Sequence, residues 1–131
     1  MSVTITAVDH IGIRVLDEAR SVSFYAKLGF EVVARHEPSK VTILRNAAGV
    51  EINLILNADP SLDGKNVLMD APPKAAGYTH VALRVGSIEE TIAALGAVGI
   101  ALSDGPVLLG GARSMFVRDP DRNVVELREG A

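Results

Sequence analysis

The sequence predicts an α+β fold of two tandem βαβββ modules, whose strands form a curved, largely antiparallel eight-stranded sheet around a metal-binding cavity. Three observations carry this prediction. The strand-like residues 10–15 return seventy positions later as residues 80–85. A helix-like segment closed by a glycine follows each copy, and the predicted strands alternate between an apolar face and a face that collects ionisable groups.

Length and composition limit the function. A chain of 131 residues forms one compact unit, and its net charge of −3 gives no electrostatic basis for binding nucleic acid or an anionic membrane. No apolar run is long enough to span a membrane and residues 1–10 lack the regions of a signal peptide, so we expect a cytoplasmic protein. There is no cysteine, so any metal must be bound through nitrogen and oxygen ligands.

Each predicted element has its own signal. A helix follows Asp17 over residues 18–28, and a second begins at the capping box of Ser87 and Glu90 and ends at Gly99. The other strands are predicted near residues 31–36, 40–45, 50–56, 102–103, 113–118 and 124–129. The first module therefore spans residues 1–57, and the second spans residues 78–131. A linker rich in turn dipeptides, residues 58–77, joins them.

The predicted last strands of the two modules also look alike. Val-Glu-Ile at residues 50–52 aligns with Val-Glu-Leu at residues 125–127 if the preceding turn is two residues longer in the second module. On this alignment Glu51 and Glu126 occupy equivalent positions, as His10 and His80 do. Asp119 and Asp121 in the second turn are interpreted as residues that stabilise a hairpin turn rather than as a calcium site.

Two histidines and two glutamates on the polar strand faces predict a divalent metal site. Imidazole and carboxylate suit Ni, Zn, Co, Mn or Fe, and four protein ligands leave positions open for water or substrate. Arg14, Arg84 and Asn53 share these faces, which makes them candidate substrate-binding residues. Alternatively, the two arginines form salt bridges with the glutamates. The predicted metal ligands are His10, Glu51, His80 and Glu126.

The motifs of the chain resemble those of the vicinal oxygen chelate superfamily, which includes glyoxalase I, bleomycin and fosfomycin resistance proteins and extradiol dioxygenases. They are Asp-His-Ile-Gly-Ile at residues 9–13, Ser-Phe-Tyr-Ala-Lys-Leu-Gly-Phe at 23–30, Thr-His-Val-Ala-Leu at 79–83, Gly-Pro-Val at 105–107 and Phe-Val-Arg-Asp-Pro-Asp-Arg-Asn-Val-Val-Glu-Leu at 116–127.

Within the superfamily, the ligand order His, Glu, His, Glu resembles that of glyoxalase I. The resemblance implies a metal-dependent lyase or isomerase that acts on a small substrate with vicinal oxygens through an enediolate-like intermediate. Glu126 or Glu51 would be the catalytic base, and the resemblance favours Glu126. An iron dioxygenase using only His10, His80 and Glu126, or a protein that sequesters an antibiotic or other small molecule, remains an alternative.

The resemblance also bears on glutathione and on assembly. Arg14 lies where glyoxalase I binds a glutathione carboxylate, but Ile55 and the leucines of the predicted loop 105–111 differ from its pattern. We therefore expect glutathione not to be the natural thiol. We expect a homodimer, because the edge strands need covering and the superfamily commonly pairs modules between chains. The sequence leaves open whether a site lies within one chain or is shared by two.

Overall fold

The structure, a computed structural model, describes residues 2–130 and contains the βαβββ order twice. The first copy comprises β1 (Ile11–Arg14), α1 (Glu18–Lys27), β2 (Glu31–His36), β3 (Val41–Arg45) and β4 (Glu51–Ile55). The second comprises β5 (His80–Val85), α2 (Ile88–Ala97), β6 (Asp104–Leu109), β7 (Ala112–Arg118) and β8 (Val124–Glu129). A short 3₁₀ helix, Pro60–Leu62, lies between the copies.

The strands form two four-stranded mixed sheets, not the single eight-stranded sheet that we predicted. Their orders are β1-β4-β3-β2 and β5-β8-β7-β6, and the first and last strands of each copy run parallel. Within residues 2–130 no hydrogen-bonded ladder joins the two sheets. Consequently β1, which follows His10, and β5, which begins with His80, are both edge strands.

The strand register corrects the alignment of the two modules. Ile11 pairs with Ile52, and its repeat Val81 pairs with Val125. Glu51 is therefore equivalent to Val124, and Asn53 is equivalent to Glu126. The preceding turns have the same length, because Arg45 pairs with Glu51 and Arg118 pairs with Val124.

The predicted equivalence of Glu51 and Glu126 is thus wrong by two residues. A shift of two keeps every side chain on its own face of the sheet, so the alternating pattern could not reveal the error.

The helix starts follow the predicted capping signals. The Asp17 side chain accepts a hydrogen bond from the Arg20 N–H, and the Ser87 side chain accepts one from the Glu90 N–H. These bonds satisfy backbone donors that the first helical turn leaves free. Both helices begin where the sequence predicts.

One hydrophobic core includes side chains from both modules, among them Ile13 and Ile52 of the first and Met115 and Leu127 of the second. A buried polar contact also joins the modules: the Tyr25 hydroxyl donates to Asp119 Oδ2 at 2.8 Å. Burial raises the pKa of Asp119, although donors from Asn123 and Tyr25 oppose this shift.

The hairpin interpretation of Asp119 is confirmed. Its Oδ1 accepts hydrogen bonds from the backbone N–H groups of Asp121 and Asn123, which closes the β7–β8 turn. Asp121 accepts instead from Arg20 in helix α1 at 2.9 Å. The two aspartates therefore build the turn and attach it to the first module.

The predicted loop 105–111 is wrong, because most of it is strand β6. The strand pairs with β7 and ends at the tight turn of Gly110 and Gly111. Pro106 is tolerated because β6 is an edge strand, where a missing N–H need not break a ladder. No helix within residues 2–130 has the length and apolar character needed to cross a membrane.

Candidate metal centre

The polar residues of β1, β4, β5 and β8 lie on the sheet faces opposite the core. In β1 and β4, the residues that point inward are apolar and contribute to the core, as Ile13, Ile52 and Leu54 do. Glu51 and Asn53 alternate with these buried residues and are only partly buried. Strand alternation therefore places His10 and Glu51 on the open side of the first sheet, and His80 and Glu126 on that of the second.

The second module carries a connected pair, His80 and Glu126. The His80 Nε2 atom lies 2.9 Å from Glu126 Oε1, and the Ser114 hydroxyl donates to Glu126 Oε2 at 2.7 Å. The Thr79 hydroxyl lies 2.8 Å from the other ring nitrogen of His80, and the ring of Phe116 packs edge-on against the imidazole. Both side chains are therefore held in one orientation.

These contacts set the ionisation of Glu126. Burial raises its pKa, but hydrogen bonds from Ser114 and His80 and the nearby charge of Arg128 outweigh burial. The net result is a pKa below the ordinary value, so the carboxylate stays ionised at neutral pH. An ionised carboxylate beside an imidazole is a donor set that borderline divalent ions favour.

The first module carries a looser group, Asp9, His10 and Glu51. One ligand atom from each of these residues lies within 4.8 Å of the other two. The His10 Nδ1 atom lies 2.7 Å from Asp9 Oδ1, and Arg45 pairs with Glu51 Oε1 at 2.7 Å. Glu51 therefore has the Arg45 guanidinium as its partner.

The structure does not bring the two pairs together into one cluster within residues 2–130. The ligand atoms of His80 and Glu126 do not join the compact group formed by Asp9, His10 and Glu51. His10 and His80 both line one open cavity of about 580 Å³, together with Arg14 and Tyr78. Each histidine therefore faces space that another group can fill.

The three candidate substrate-binding residues have different surroundings. Arg14 lines the cavity, and its Nε donates to Asn57 Oδ1 at 2.7 Å. The Arg84 side chain lies against the backbone of Gly130. Asn53 lies beside Gly12 in the sheet, and its Oδ1 is buried without a hydrogen-bond partner.

The alternative salt bridges of Arg14 and Arg84 with the glutamates are not formed. In the described part of the chain, the arginines that approach Glu51 and Glu126 are Arg45, at 2.7 Å, and Arg128, at 3.9 Å. Arg45 is the register partner of Glu51 on the neighbouring strand, and Arg128 follows Glu126 by two residues on the same strand. Arg14 and Arg84 lie on the outer strands β1 and β5.

Sequence reasoning missed Ser114, Arg45 and Asp9. Ser114 and Phe116 lie two positions apart on β7, so both side chains point to the same face of the sheet. Phe116 pairs with Glu126 on β8, so this is also the face of Glu126. A face assignment for β7 would have found them. The Arg45 contact depends on the register of β3 with β4, which the sequence pattern leaves undetermined.

The chemistry of the residues present fits a divalent ion. Each module contributes one imidazole and one carboxylate, and the exposed fractions of these four side chains range from 42% for His10 to 10% for Glu126. The contact between Ser114 and Glu126 is the kind of outer hydrogen bond that orients a metal-binding carboxylate. The buried Oδ1 atom of Asn53 has no hydrogen-bond partner, so it is a further oxygen that could accept a hydrogen bond or contact a cation.

Comparison with known proteins agrees with the fold. Residues 7–127 match the Glyoxalase/Bleomycin resistance protein/Dioxygenase superfamily. The uncharacterised protein YwkD of Bacillus subtilis (strain 168) is 31% identical over 132 residues, which cover 94% of this chain and 96% of that protein.

Two solved structures extend this similarity. A glyoxalase family protein from Enterococcus faecalis is 28% identical with a TM-score of 0.71, and the match covers 94% of this chain and 97% of that chain. A member of the superfamily from Sphaerobacter thermophilus is 27% identical with a TM-score of 0.70, and the match covers 96% and 98% of the two chains.

Proposed function

Because the chain belongs to the glyoxalase/bleomycin resistance protein/dioxygenase superfamily, we propose that it is a metal-dependent lyase or isomerase of the glyoxalase I type. Its substrate is a small molecule with vicinal oxygens. The observation that carries the proposal is the pair formed by His80 and Glu126, which Ser114 and Thr79 hold in place on the open face of the second sheet.

The residues of the site have different proposed roles. His10 and Glu51 from one module, and His80 and Glu126 from another, would hold a divalent ion. The ion, when bound, polarises two adjacent substrate oxygens and so acidifies the neighbouring C–H group. Glu126 would take up that proton and pass it to Glu51, which would return it to the adjacent carbon and so become ionised again, while Ser114 would keep the Glu126 carboxylate oriented. Arg14 and Arg84 bind or balance negative charge near the substrate.

We propose further that a homodimer completes the site, with His10 and Glu51 from one subunit and His80 and Glu126 from the partner subunit. The segments that lead into the two histidines support this arrangement, because their side chains are almost fully exposed. The exposed fractions are 86% for Val3, 84% for Ile5, 81% for Val8 and 97% for Tyr78. Apolar side chains this exposed next to two open sheet edges mark a surface that another chain covers.

The total surface supports the same proposal. One chain exposes 8298 Å². A compact monomer of 13.8 kDa would expose only about 6,600 Å². The excess of roughly 1,700 Å² is comparable to the area that each subunit buries in an obligate dimer. A second copy is the occupant that we propose, because it would carry the complementary half of the metal site.

The register favours one alternative function, an iron dioxygenase that uses two histidines and one carboxylate. The structural counterpart of Glu126 in the first module is Asn53 rather than Glu51. At equivalent positions the two modules therefore offer His10, His80 and Glu126 with only one carboxylate, which is the ligand set typical of non-haem iron oxygenases. Oxygen uptake with Fe²⁺ and a catechol would distinguish this function from the first.

The register also changes the expectation for glutathione. The asparagine position that glyoxalase I uses for glutathione lies four residues beyond its fourth-strand ligand. Counted from Asn53, the counterpart of Glu126, that position is Asn57 rather than Ile55, and Asn57 accepts a hydrogen bond from Arg14. Ile55 therefore no longer weighs against glutathione binding, and activity is to be measured with and without glutathione.

The test begins with metal analysis of the purified protein, followed by assays on methylglyoxal with and without glutathione. We expect about one divalent ion per chain and turnover that Glu126→Gln lowers at least about a hundredfold, because it removes the base. Glu37→Gln, which changes an exposed residue in the β2–β3 turn, should leave both unchanged. Full activity in the Glu126→Gln variant, or stoichiometric ligand binding by metal-free protein without turnover, would contradict the proposal.

A further inference from the structure

Asn53 occupies in the first module the position that Glu126 occupies in the second. Asn53 lies opposite Gly12 on the parallel strand β1, and Glu126 lies opposite Ala82 on the parallel strand β5. In both modules the residue opposite is small, and the histidine lies two positions before it. The repeat therefore places an amide at one position of the site and a carboxylate at the other.

The Asn53 side chain is unsatisfied as it stands. Its Oδ1 is buried and has no hydrogen-bond partner. The residues beside it on the neighbouring strands are Gly12 and Ile43, and neither side chain carries a donor. A buried acceptor without a donor is destabilising, so a group from outside the sheet that supplies a donor or a cation would be stabilised there.

The charges around Asn53 indicate what that group is. A carboxylate here would add a negative charge at the position equivalent to Glu126, whereas the amide adds none to the carboxylates Asp9 and Glu51 that already lie beside His10. Arg14 lies two residues beyond Gly12 on the same face of β1 and adds positive charge. The negative charge of Glu51 is partly neutralised, because Arg45 pairs with it.

Building on the proposed function, we propose that Asn53 determines substrate specificity by adding no further negative charge to this side of the metal centre, where an anionic substrate binds. The substrate class is a small carboxylate with an adjacent carbonyl or hydroxyl oxygen. Asn53 contacts the substrate or a ligand of the ion, and Arg14 balances the substrate charge. A carboxylate at position 53 would bind the ion more tightly and repel such a substrate.

The test measures two equilibria by calorimetry, Ni²⁺ binding to the metal-free dimer and oxalate binding to the Ni²⁺-loaded dimer. Asn53→Asp changes the charge with almost no change in shape, and Asn53→Glu reaches further if the shorter side chain perturbs folding. We expect at least one of these variants to bind Ni²⁺ about tenfold more tightly than wild type and oxalate about tenfold more weakly, because carboxylate ligands raise cation affinity.

The control is Ala47→Glu, which adds the same charge in the exposed β3–β4 turn and should change neither equilibrium. Unchanged Ni²⁺ and oxalate affinities in both folded position-53 variants would overturn this inference alone, provided that His80→Ala still abolishes Ni²⁺ binding. Absence of Ni²⁺ binding in wild type and in both variants would overturn this inference and the metal-dependent function together. Ni²⁺ binding by a position-53 variant but not by wild type would support the inference and contradict the proposed function.

Discussion

At the residue scale, the two glutamates of the predicted site have different partners. Glu126 is buried and accepts hydrogen bonds from Ser114 and His80, whereas Glu51 is half-buried and pairs with the exposed guanidinium of Arg45. A pair at the surface contributes little to stability, so Glu51 can exchange Arg45 for another cation at small cost. Glu126 is already fixed in the orientation it would need.

The first prediction concerns Ser114, which acts on the site only through Glu126. Ser114→Ala removes the 2.7 Å hydrogen bond to Glu126 Oε2 and leaves that oxygen free to rotate. We expect Ni²⁺ affinity to fall roughly tenfold, as it does when outer-shell partners of metal ligands are removed. The pKa of Glu126, measured by NMR titration of metal-free protein, should rise because one of the donors that lower it is lost.

Ser39→Ala is the matched control for Ser114→Ala. Ser39 donates to the His36 carbonyl at 3.2 Å in the exposed turn between β2 and β3. A Ser114→Ala variant with the Ni²⁺ affinity and the Glu126 pKa of wild type would show that the hydroxyl does not position the carboxylate.

At the element scale, helix α1 is attached to the β7–β8 turn of the other module. The Tyr25 hydroxyl donates to Asp119, and Arg20 pairs with Asp121. Tyr25 is completely buried, and burial beside Asp119 raises its pKa, so the phenol stays protonated and remains a donor. This contact fixes the second module relative to the first.

The second prediction tests this attachment. Tyr25→Phe removes the donor and leaves a buried carboxylate oxygen with one partner fewer. We expect the free energy of unfolding in urea to fall by about 1.5–3 kcal/mol, the range for hydrogen bonds to charged groups. Tyr78→Phe deletes the same atom from a residue that is 97% exposed and should change the free energy of unfolding by less than about 0.5 kcal/mol. Equal effects of the two substitutions would refute the role assigned to Tyr25.

Much of the secondary structure could be predicted, because repeats, caps and alternation are local signals. Both helices and seven of the eight strands lie close to the predicted residues. The sequence placed strand β6 at residues 102–103, whereas the structure has it at Asp104–Leu109. The prediction failed because Gly105, Pro106 and the exposed Leu108 lack the alternation of a half-buried strand. The equivalence of Glu51 with Glu126 failed for a different reason: register depends on which residues pair across strands, and shifts of two residues preserve the face pattern.

At the scale of the whole molecule, the sequence could not predict how the two sheets are arranged. The apolar faces of the two modules contribute to one core. No periodic feature of the sequence indicates how their open faces are oriented relative to each other. The structure leaves β1 and β5 as free edges and exposes apolar side chains just before both histidines. From these edges and exposed side chains we propose, as the central claim, that two copies of the chain must associate before one complete metal site exists.

Mixing two defective variants tests this claim most directly. His10→Ala and His80→Ala are unfolded together, refolded as a mixture and analysed for tightly bound Ni²⁺ after dialysis. If the site is shared, each mixed dimer contains one intact site, made from His10 of one subunit and His80 of the partner subunit. Statistical mixing then restores about a quarter of the wild-type Ni²⁺, whereas each variant alone retains none. Mixed protein that binds no more Ni²⁺ than the separate variants, in dimers confirmed by light scattering, would contradict a site shared between subunits.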